Sequence, residues 1–466
     1  MIFTVIITLL VAALTHTECK VTNPNVQQDS TIRSGEEYLD SEQSYLLKWN
    51  VSLTEKRIYF EVTANTTGYI GFGISPTGGM AGADIFIAGV HPNGTEYSSD
   101  ATVRVIYAMG ETDDLVFHGP NKGTKSINFF LEDASFDSEG YDSFDLIAKS
   151  EMPAQDTTYW CTLHKVPAFS EKQHVVAFEP VLKGSLALAH THHFTLFKCV
   201  VPDNINADEL FGPFVESGEG HHCFENPNNF PTSYCREQAV YGWSKGGKWT
   251  IFPSNVGYPV PDKLNRNEYY SIETHFDNPR NLSGLVIESG IRAHYTKELR
   301  EHDAGLLIVN HDTSPVLTIP PNSKNFIVSG HCSSACTENE LPEDGVTNFN
   351  NLFHSHLAGR KMKLRHFRGN NELSWVDVDD QYDFNYQQNK PLSTYVKVER
   401  GDQLTVECTY DISKNLDDKI VVGGLSTREE MCEAVLWYWP KTELIVCGSS
   451  KNSPAISSNW SNKSCM

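Results

Sequence analysis

Hydrophobic and polar residues alternate with a period of two over most of the chain, which is the pattern of β-strands that bury one face. In one such segment Ile58, Phe60 and Val62 fall on the same face. Short segments of this kind, separated by Pro, Gly and Asn, continue over residues 156–447 and leave little room for helical periodicity. The pattern predicts an all-β protein built from sandwiches.

The region before residue 150 follows the same pattern with more glycine. Residues 68–73 and 78–84 combine glycines with aromatic and apolar residues, which is typical of tight turns and close backbone approach in a β-sandwich. Residues 103–107 predict another strand, and residues 121–126 predict a turn. We therefore expect an N-terminal β-sandwich.

The first residues predict a signal peptide. The apolar run from Ile2 to Leu14 is followed by small residues and is too short to span a bilayer, although no Lys or Arg precedes it. We expect residues 1–18 to be removed, and no later run has the length of a membrane span. The chain is then expected in the secretory pathway, secreted or luminal in the ER or a secretory vesicle.

Sequons and cysteines agree with this compartment. Six glycosylation sequons occur, at Asn50, Asn65, Asn93, Asn281, Asn459 and Asn462. The chain has 11 cysteines, and removal of Cys19 with or beside the signal peptide would leave an even number for disulfides. We expect a disulfide-bonded glycoprotein.

Chain length and net charge limit the number of domains and the classes of partner. A chain of 466 residues fits roughly three domains of about 150 residues each. Its formal charge of −22 argues against nucleic acid or an anionic membrane as a partner. Homo-oligomers are compatible with the sequence. No nucleotide-binding loop, dinucleotide fingerprint or Ser-nucleophile elbow stands in a suitable context, which disfavours phosphoryl transfer and hydrolysis.

The candidate chemistry lies in histidines. His354 and His356 are separated by one residue in a segment that reads as a strand, so both side chains are predicted to face the same way, near enough to share a metal ion. The alternative is a pair of structural histidines. Further imidazoles occur at His192, His193 and His275.

Met431 adds a thioether to this set. Imidazole alone suits zinc, iron, nickel and copper, whereas a soft thioether beside two imidazoles favours copper, Cu(I) in particular. The alternative for a single methionine is core filling. Adjacent His192 and His193 would face opposite ways on a regular strand, so sharing one metal requires a bulge or a ring that binds through Nδ1 rather than Nε2.

Taken in order, these residues resemble the copper type II, ascorbate-dependent monooxygenases, and within them the dopamine-β-hydroxylase-like monooxygenase-X type. The resemblance covers about residues 40 to 450. It rests on motifs at 156–161, 192–199, 273–279, 331–336, 354–360 and 423–432.

The resemblance implies two copper ions. The first would be held by His192, His193 and His275, and the second, with the catalytic residues, by His354, His356 and Met431. It implies ascorbate as the reductant, dioxygen as co-substrate and hydroxylation of a C–H bond in a small molecule.

The resemblance also implies an architecture. A DOMON-like sandwich over residues 36–150 would precede two jelly-roll-like copper domains, 151–310 and 311–450, and a tail, 451–466, with the coppers facing each other across a solvent cleft. The implied disulfides are Cys161–Cys223, Cys199–Cys235, Cys332–Cys447 and Cys408–Cys432, which leave Cys336 and Cys465.

Two departures from the family pattern stand out. After residues 93–97 the middle strands of the DOMON sandwich are missing, so this domain is expected to be shortened. Catecholamine-hydroxylating members carry an acidic residue where this chain has Ile308, which argues against a phenethylamine substrate. Asp377, Asp379, Asp380 and Asp383 offer replacement charge, although a solvated acidic loop is the simpler interpretation.

Two functions from different classes follow. The leading hypothesis is a copper monooxygenase that acts on a small substrate, with phenethylamines among the classes considered. The alternative is a non-catalytic luminal binding or adhesion glycoprotein with a DOMON domain and idle copper sites.

Overall fold

The computed structural model describes most of the chain in two compact units. The described residues are 2–10, 32–40, 43–52, 57–65, 70–75, 84–87, 103–109, 122–127, 136–225, 230–236, 238–261, 264, 266–413, 419–449 and 464–465. The first unit comprises Met1–Ser135 with Asp379–Asp383, and the second comprises Phe136–Val378 with Phe384–Met466. Strands prevail in both. Within the described residues, none of the helices is long and apolar enough to cross a bilayer.

The first unit contains two four-stranded sheets. Their orders are β1-β4-β3-β2 and β6-β5-β7-β8. The strands are β1 Ile2–Leu10, β2 Ile32–Tyr38, β3 Tyr45–Ser52, β4 Arg57–Asn65, β5 Ile70–Ser75, β6 Asp84–Ile87, β7 Val103–Met109 and β8 Lys122–Ile127. Ile58, Phe60 and Val62 are buried together as predicted, and the ring of Phe60 contacts that of Phe72 at 5.1 Å. The turn predicted at residues 121–126 is wrong for its described part, because residues 122–126 belong to β8.

Two predictions about this unit remain open. Residues 93–97 lie outside the described residues, so the expected shortening of the sandwich stays a prediction. Strand β1 falls within the predicted signal peptide and pairs with β4 from Ile2 to Leu10. Cleavage at the predicted position would remove β1 and make β4 an edge strand.

The second unit begins with a sandwich of a five-stranded and a six-stranded sheet. The orders are β13-β10-β17-β12-β14 and β19-β16-β11-β18-β9, with β15 on β11. The strands are β9 Asp142–Glu151, β10 Thr157–Val166, β11 Gln173–Lys183, β12 Thr191–Lys198, β13 His221–His222, β14 Gln238–Ser244, β15 Thr250–Ile251, β16 Val256–Val260, β17 Glu268–Asp277, β18 Val286–Thr296 and β19 His302–Asp303. The helices are α1 Gly184–His190 and α2 Ala207–Ser217, with a 3-10 turn at Thr232–Tyr234.

A second sandwich completes this unit. Its sheets run β27-β23-β30-β20-β31-β32 and β22-β28-β24-β25, with β26 on β24 and a separate β21-β29 pair. The strands are β20 Gly305–His311, β21 Thr318–Ile319, β22 Lys324–Cys332, β23 Val346–His354, β24 Gly359–Arg368, β25 Asn371–Glu372, β26 Asp377–Asp379, β27 Lys390–Val398, β28 Asp402–Asp411, β29 Val421–Val422, β30 Glu433–Trp439, β31 Val446–Ser449 and β32 Ser464–Cys465. The helix is α3 Ser334–Glu340.

Sheet pairing bears on the predicted domain limits. The limit between residues 150 and 151 falls inside β9, which pairs with β18 of the second unit. The limit between residues 310 and 311 falls inside β20, which pairs with β30 and β31. Pairing therefore favours limits earlier than those drawn from the sequence, because a strand belongs with the sheet that satisfies its backbone hydrogen bonds.

The two sandwiches of the second unit share one hydrophobic core. Phe194 and Trp243 of the first sandwich belong to the same buried cluster as Leu352, Val435 and Trp437 of the second. Because β12 and β23 both contribute to this cluster, the histidines at or near their ends lie close together. The shared core thus sets the position of the candidate site.

All four implied disulfides are formed. They join Cys161 to Cys223, Cys199 to Cys235, Cys332 to Cys447 and Cys408 to Cys432. Cys336 is also disulfide-bonded, whereas the side chain of Cys465 lies outside the described residues. Disulfides persist in oxidising compartments, which indicates a protein of the secretory pathway. The predicted glycosylation sites Asn50 and Asn281 are both exposed.

Candidate metal centre

Three histidines meet at the ends of β12 and β17. His192, His193 and His275 each offer a ring nitrogen, and these nitrogens lie within 4.8 Å of one another. The pairing of the two strands shifts register between Thr191 and His193, with His193 opposite His275. This irregularity is the bulge that the adjacent histidines require, because it allows neighbouring side chains to point to one place.

The ring orientation of His192 follows from one hydrogen bond. Its Nε2 lies 3.0 Å from the backbone oxygen of Phe384. A carbonyl oxygen only accepts, so Nε2 carries the proton and Nδ1 keeps its lone pair. That Nδ1 atom is buried and has no hydrogen-bond partner among the described residues. The structure thus has the bulge, and binding of a metal through Nδ1 of His192 stays a prediction.

The second histidine pair differs from the prediction in its local structure. His354 is the last residue of β23, whereas His356 lies beyond the strand, in the turn that leads to β24. The two rings nevertheless lie 5.3 Å apart between centroids. The assumption that both histidines sit on one strand is wrong, and their proximity comes from the turn.

Glu430 holds this turn in place. Its carboxylate accepts hydrogen bonds from the hydroxyl of Ser355 and from the backbone N–H groups of His356 and Ala358. The side chain of Glu430 is almost fully buried, and burial raises its pKa to about 7, against the effect of these hydrogen bonds. The neighbouring residue, Glu429, accepts a hydrogen bond from Nδ1 of His356 through its backbone oxygen, at 3.0 Å.

Met431 follows Glu430 directly and is 7% exposed. Its backbone oxygen accepts a hydrogen bond of 2.6 Å from the hydroxyl of Tyr410, and the next residue forms the Cys408–Cys432 disulfide with β28. Met431 lines the same cavity as His354 and His193. Four consecutive residues, 429–432, therefore orient a histidine, anchor its turn, supply the thioether and fix the segment to the sheet.

Burial keeps the five imidazoles neutral. It lowers the pKa of His192, His193 and His275 well below the ordinary value, and it lowers the pKa of His356 to about 3. The pKa of His354 is also lowered by burial, an effect that the charge of Glu433 partly opposes. Neutral imidazoles retain the lone pair that binds a metal.

The donor set fits a metal site. Within the described part of the chain, unpartnered buried nitrogens occur on all five rings: Nδ1 of His192 and His193, both nitrogens of His275, and Nε2 of His354 and His356. Buried polar atoms normally have partners, so an orphaned group of this size points to a bound ion. Three imidazoles and a two-imidazole–thioether set both suit copper.

The two groups of ligands are in contact with each other. The rings of His193 and His354 lie 4.9 Å apart between centroids, and those of His275 and His356 lie 6.2 Å apart. All five histidines are buried. The expected arrangement of two sites facing across a solvent cleft is therefore not what the structure has, because the two sandwiches close over the histidines.

Hydrogen bonds between the sequence motifs hold this closure. The hydroxyl groups of Thr157 and Thr427 lie 3.2 Å apart, and Nε of Arg428 donates to Asp156 at 2.9 Å. Asp156 and Thr157 belong to the motif that leads into β10, and Thr427 and Arg428 belong to the motif that ends in Met431. Two of the ordered motifs thus meet at the edge of the histidine cluster.

A cavity of about 330 Å³ opens beside His193, His354 and Met431. Its apolar lining comes from both sandwiches. Apolar and aromatic lining residues include Phe194, Tyr241, Trp243, Leu306, Ile308, Leu352, Leu425 and Val435. A cavity of this size suits a small molecule with an apolar body.

Two carboxylates, Glu273 and Glu433, also line this cavity, together with Arg236. Burial raises the pKa of Glu273 to about 7, although Arg236 opposes the effect. Ile308 lines the same cavity.

The acidic loop does not supply the missing charge at this place. Asp377, Asp379, Asp380 and Asp383 are all described, and none of them is among the residues that line the cavity. Asp377 is buried and bound to Lys390 at 2.6 Å, so its interpretation as part of a solvated loop is wrong.

Several residues of the site escaped sequence reasoning. The ring of Tyr159 stacks on that of His275 at 4.7 Å, and the ring of Phe384 stacks on that of His192 at 3.8 Å. Tyr159 stands in a motif that the resemblance identified, which was a usable signal. Phe384 and Gln387, which binds His354, stand in no such motif, and no spacing marks them.

Comparison with known proteins agrees with this geometry. Residues 144–283 match the family model described as copper type II ascorbate-dependent monooxygenase, N-terminal domain, and residues 302–460 match its C-terminal domain. Residues 41–134 match the DOMON domain. These matches cover most of the chain.

Individual proteins of this family are also similar to the chain in sequence. The chain is 34% identical to DBH-like monooxygenase protein 1 of Homo sapiens over 88% of this chain and 74% of the relative. It is 32% identical to the protein of that name from Gallus gallus, over 88% and 74%. It is 29% identical to dopamine beta-hydroxylase of Canis lupus familiaris, over 88% and 72%. The chain therefore belongs to the copper type II ascorbate-dependent monooxygenases, as a DOMON domain followed by the two copper domains.

Proposed function

We propose that this protein is an active copper monooxygenase that hydroxylates a C–H bond of a small substrate, with dioxygen as co-substrate and ascorbate as reductant. The observation that carries the proposal is a cluster of five buried, neutral imidazoles with unpartnered nitrogens, two of which, His193 and His354, line a cavity between the two sandwiches together with Met431. A chain that had lost activity would be under no constraint to keep all six.

The residues divide the work between two sites. His192, His193 and His275 would hold the first copper, and His354, His356 and Met431 would hold the second. Bound copper supplies one-electron redox chemistry. The overall reaction balances when one oxygen atom of dioxygen enters the C–H bond and the other leaves as water, with two electrons from ascorbate and two protons.

The cavity favours a substrate with an apolar body and a positively charged group. Its walls are largely apolar, and Glu433 adds a carboxylate; Glu273, whose pKa burial raises to about 7, adds negative charge only in part and lies beside Arg236. Glu433 accepts a hydrogen bond from Thr313 at 3.3 Å, and it forms no ion pair with a described residue. We therefore infer that small amines, with phenethylamines among them, are the first substrates to test despite the loss of the acid at Ile308.

The test is turnover by copper-loaded protein. A panel of tyramine, dopamine and glycine-extended peptides is offered with ascorbate and ¹⁸O₂, and the hydroxylated product is analysed by mass spectrometry. We expect one ¹⁸O atom in the product of an amine substrate, and loss of turnover in Met431→Ala. Full activity of Met431→Ala would overturn the role of the second site.

The same experiment separates the proposal from a binding or adhesion protein. Copper binding without ascorbate- and oxygen-dependent turnover of any member of the panel would favour that alternative. The predicted signal peptide, the sequons and the disulfides support action in a secretory vesicle or after secretion.

A further inference from the structure

A short segment of the second copper domain is hydrogen-bonded to the first. We call residues 384–389 the strap. The backbone N–H of Gln387 donates to the oxygen of Lys245 at 2.9 Å, and the side-chain amide of Gln388 donates to the oxygen of Gly246 at 2.9 Å. The side-chain amide of Asn389 donates to the oxygen of Gly242 and to the hydroxyl of Thr250. The strap is therefore anchored to the first domain although it belongs to the second.

The strap is hydrogen-bonded to one histidine of each set of candidate copper ligands, His192 of the first set and His354 of the second. The backbone oxygen of Phe384 accepts from Nε2 of His192 at 3.0 Å and from Nε2 of Gln387 at 2.8 Å. The side-chain oxygen of Gln387 lies 2.8 Å from Nδ1 of His354. Both Phe384 and Gln387 are buried, so water does not compete for these bonds.

The donor and acceptor roles in this chain of bonds are fixed by chemistry. A carbonyl oxygen has no proton to give, so the nitrogen of the Gln387 amide must be the atom that faces Phe384. The amide oxygen then faces His354, and it can only accept. Nδ1 of His354 therefore carries the proton, and Nε2, which is buried without a partner in the described structure, keeps its lone pair.

We propose that Gln387 is a positioning residue that sets the tautomer of His354 and holds in place the Phe384 carbonyl to which His192 donates. It acts on His354 directly and on His192 through the carbonyl of Phe384, and it thereby links the two sites. The proposal rests on the proposed function, since it needs His192 and His354 to be copper ligands. Hydrogen bonds to the non-ligating nitrogen orient such rings, and their loss typically costs about 10–100-fold in metal affinity.

Two substitutions of Gln387 separate its two bonds. Gln387→Met keeps the size of the side chain and removes both bonds. Gln387→Glu keeps an acceptor for His354 but removes the donor to Phe384. A matched control is Gln388→Met, which removes the same kind of cross-domain bond from the same strap without touching a histidine.

The measurements are Cu(I) affinity, by competition with a chromophoric chelator, and pulsed EPR of the Cu(II) form. Each site is assigned with His192→Ala and Met431→Ala backgrounds, and folding is checked by thermal unfolding. We expect Gln387→Met to lower the affinity of the second site by about 10–100-fold and that of the first site by less. The pulsed EPR signal of the protonated, non-ligating Nδ1 of His354 should change in the same variant. Gln387→Glu should leave the second site intact and weaken the first, and Gln388→Met should leave both unchanged.

Each result decides the matter. Wild-type affinities and spectra in Gln387→Met would overturn the proposal, and so would an equal loss in Gln388→Met, because anchoring of the strap rather than the amide would then be responsible. In either of these two cases the proposed function still stands, provided that the wild-type protein binds copper and turns over. Wild-type protein that binds no copper overturns both.

Discussion

At the scale of single residues, Glu433 is the side chain that most directly bears on specificity. It is the first residue of β30, pairs in register with His354, and lines the cavity. The net contribution of a hydrogen bond to a charged group is about 1.5–3 kcal/mol, which corresponds to about 10–100-fold in binding. We expect Glu433→Gln to raise KM for an amine substrate by that factor, as measured by steady-state kinetics.

A neutral analogue of the same substrate is the control for Glu433. Its KM should be unchanged or lower in Glu433→Gln, because no ammonium group is present to lose a partner. An equal rise in KM for the amine and the analogue would contradict the assignment and indicate a change in cavity shape.

His164 gives a pH dependence that is independent of copper. Burial lowers its pKa to about 4, and its ring bonds the hydroxyl of Thr162 at 2.9 Å. Above pH 6.5 the ring is neutral in both the folded and the unfolded chain, so it does not lower the free energy of unfolding. Between pH 6.5 and 4 the unfolded chain binds a proton that the folded chain does not, so the free energy of unfolding falls by about 1–3 kcal/mol.

The pH effect of His164 is measured by chemical denaturation of copper-free protein at pH 7 and pH 4.5. In His164→Gln this part of the difference should disappear, because an amide does not titrate in that range. An unchanged pH difference in the variant would assign the effect to other groups.

Residue-level interpretation of the sequence reaches residues whose chemistry is tied to their type and misses residues whose role depends on the fold. A histidine or methionine in an ordered motif predicts a metal ligand, and the six candidates named in this way are His192, His193, His275, His354, His356 and Met431. A glutamine that binds a ring through one amide looks like any other glutamine. Gln387 and the cavity-lining role of Glu433 therefore needed coordinates, since only the fold brings them to the histidines.

At the scale of elements, the segment that carries Met431 depends on the Cys408–Cys432 disulfide. This bond closes a loop with a sequence separation of 24 residues between β28 and the start of β30. In the chain-entropy view such a loop is worth about 3 kcal/mol of stability. We expect the double variant Cys408→Ala/Cys432→Ala to lose about that much in denaturant unfolding and to bind Cu(I) less tightly at the second site.

The first site is the internal control for this disulfide. Its Cu(I) affinity, measured in a Met431→Ala background, should not change in the double variant, because His192, His193 and His275 lie on other strands. A parallel loss at both sites would mean that the disulfide supports the whole sandwich rather than the methionine segment.

Element prediction was limited by what periodicity can express. Alternation of apolar residues correctly marked β4, because a strand buries one face. It placed His354 and His356 on one strand because their spacing fits a strand, and it could not reveal that Glu430 draws the second residue into a turn. Polar residues at 121–126 suggested a turn, yet residues 122–126 belong to β8, where pairing with β7 prevails over composition.

At the scale of the whole molecule, copper should stabilise one unit and not the other. All six candidate ligands lie in the second unit, and the first contains none. A ligand that binds only the folded state adds about 2.7 kcal/mol at 100 times its Kd. We expect two unfolding transitions in calorimetry. Copper should raise the midpoint temperature of only the transition that belongs to the second unit.

The assignment of that transition is checked with variants. His192→Ala with Met431→Ala should abolish the shift and leave the other transition where it was. A shift of both transitions by copper would contradict independent unfolding of the two units.

Closure of the two sandwiches over the histidines has a consequence for metal exchange. The cavity reaches His193, His354 and Met431, whereas His192, His275 and His356 lie behind them and are almost fully buried. A chelator that enters the cavity would therefore meet only part of each ligand set, and the remaining ligands would have to release the ion from the protein side. Release of copper to a chelator is then expected to be slower than its diffusion into the cavity, so the protein would hold its copper through brief dilution into a metal-poor environment.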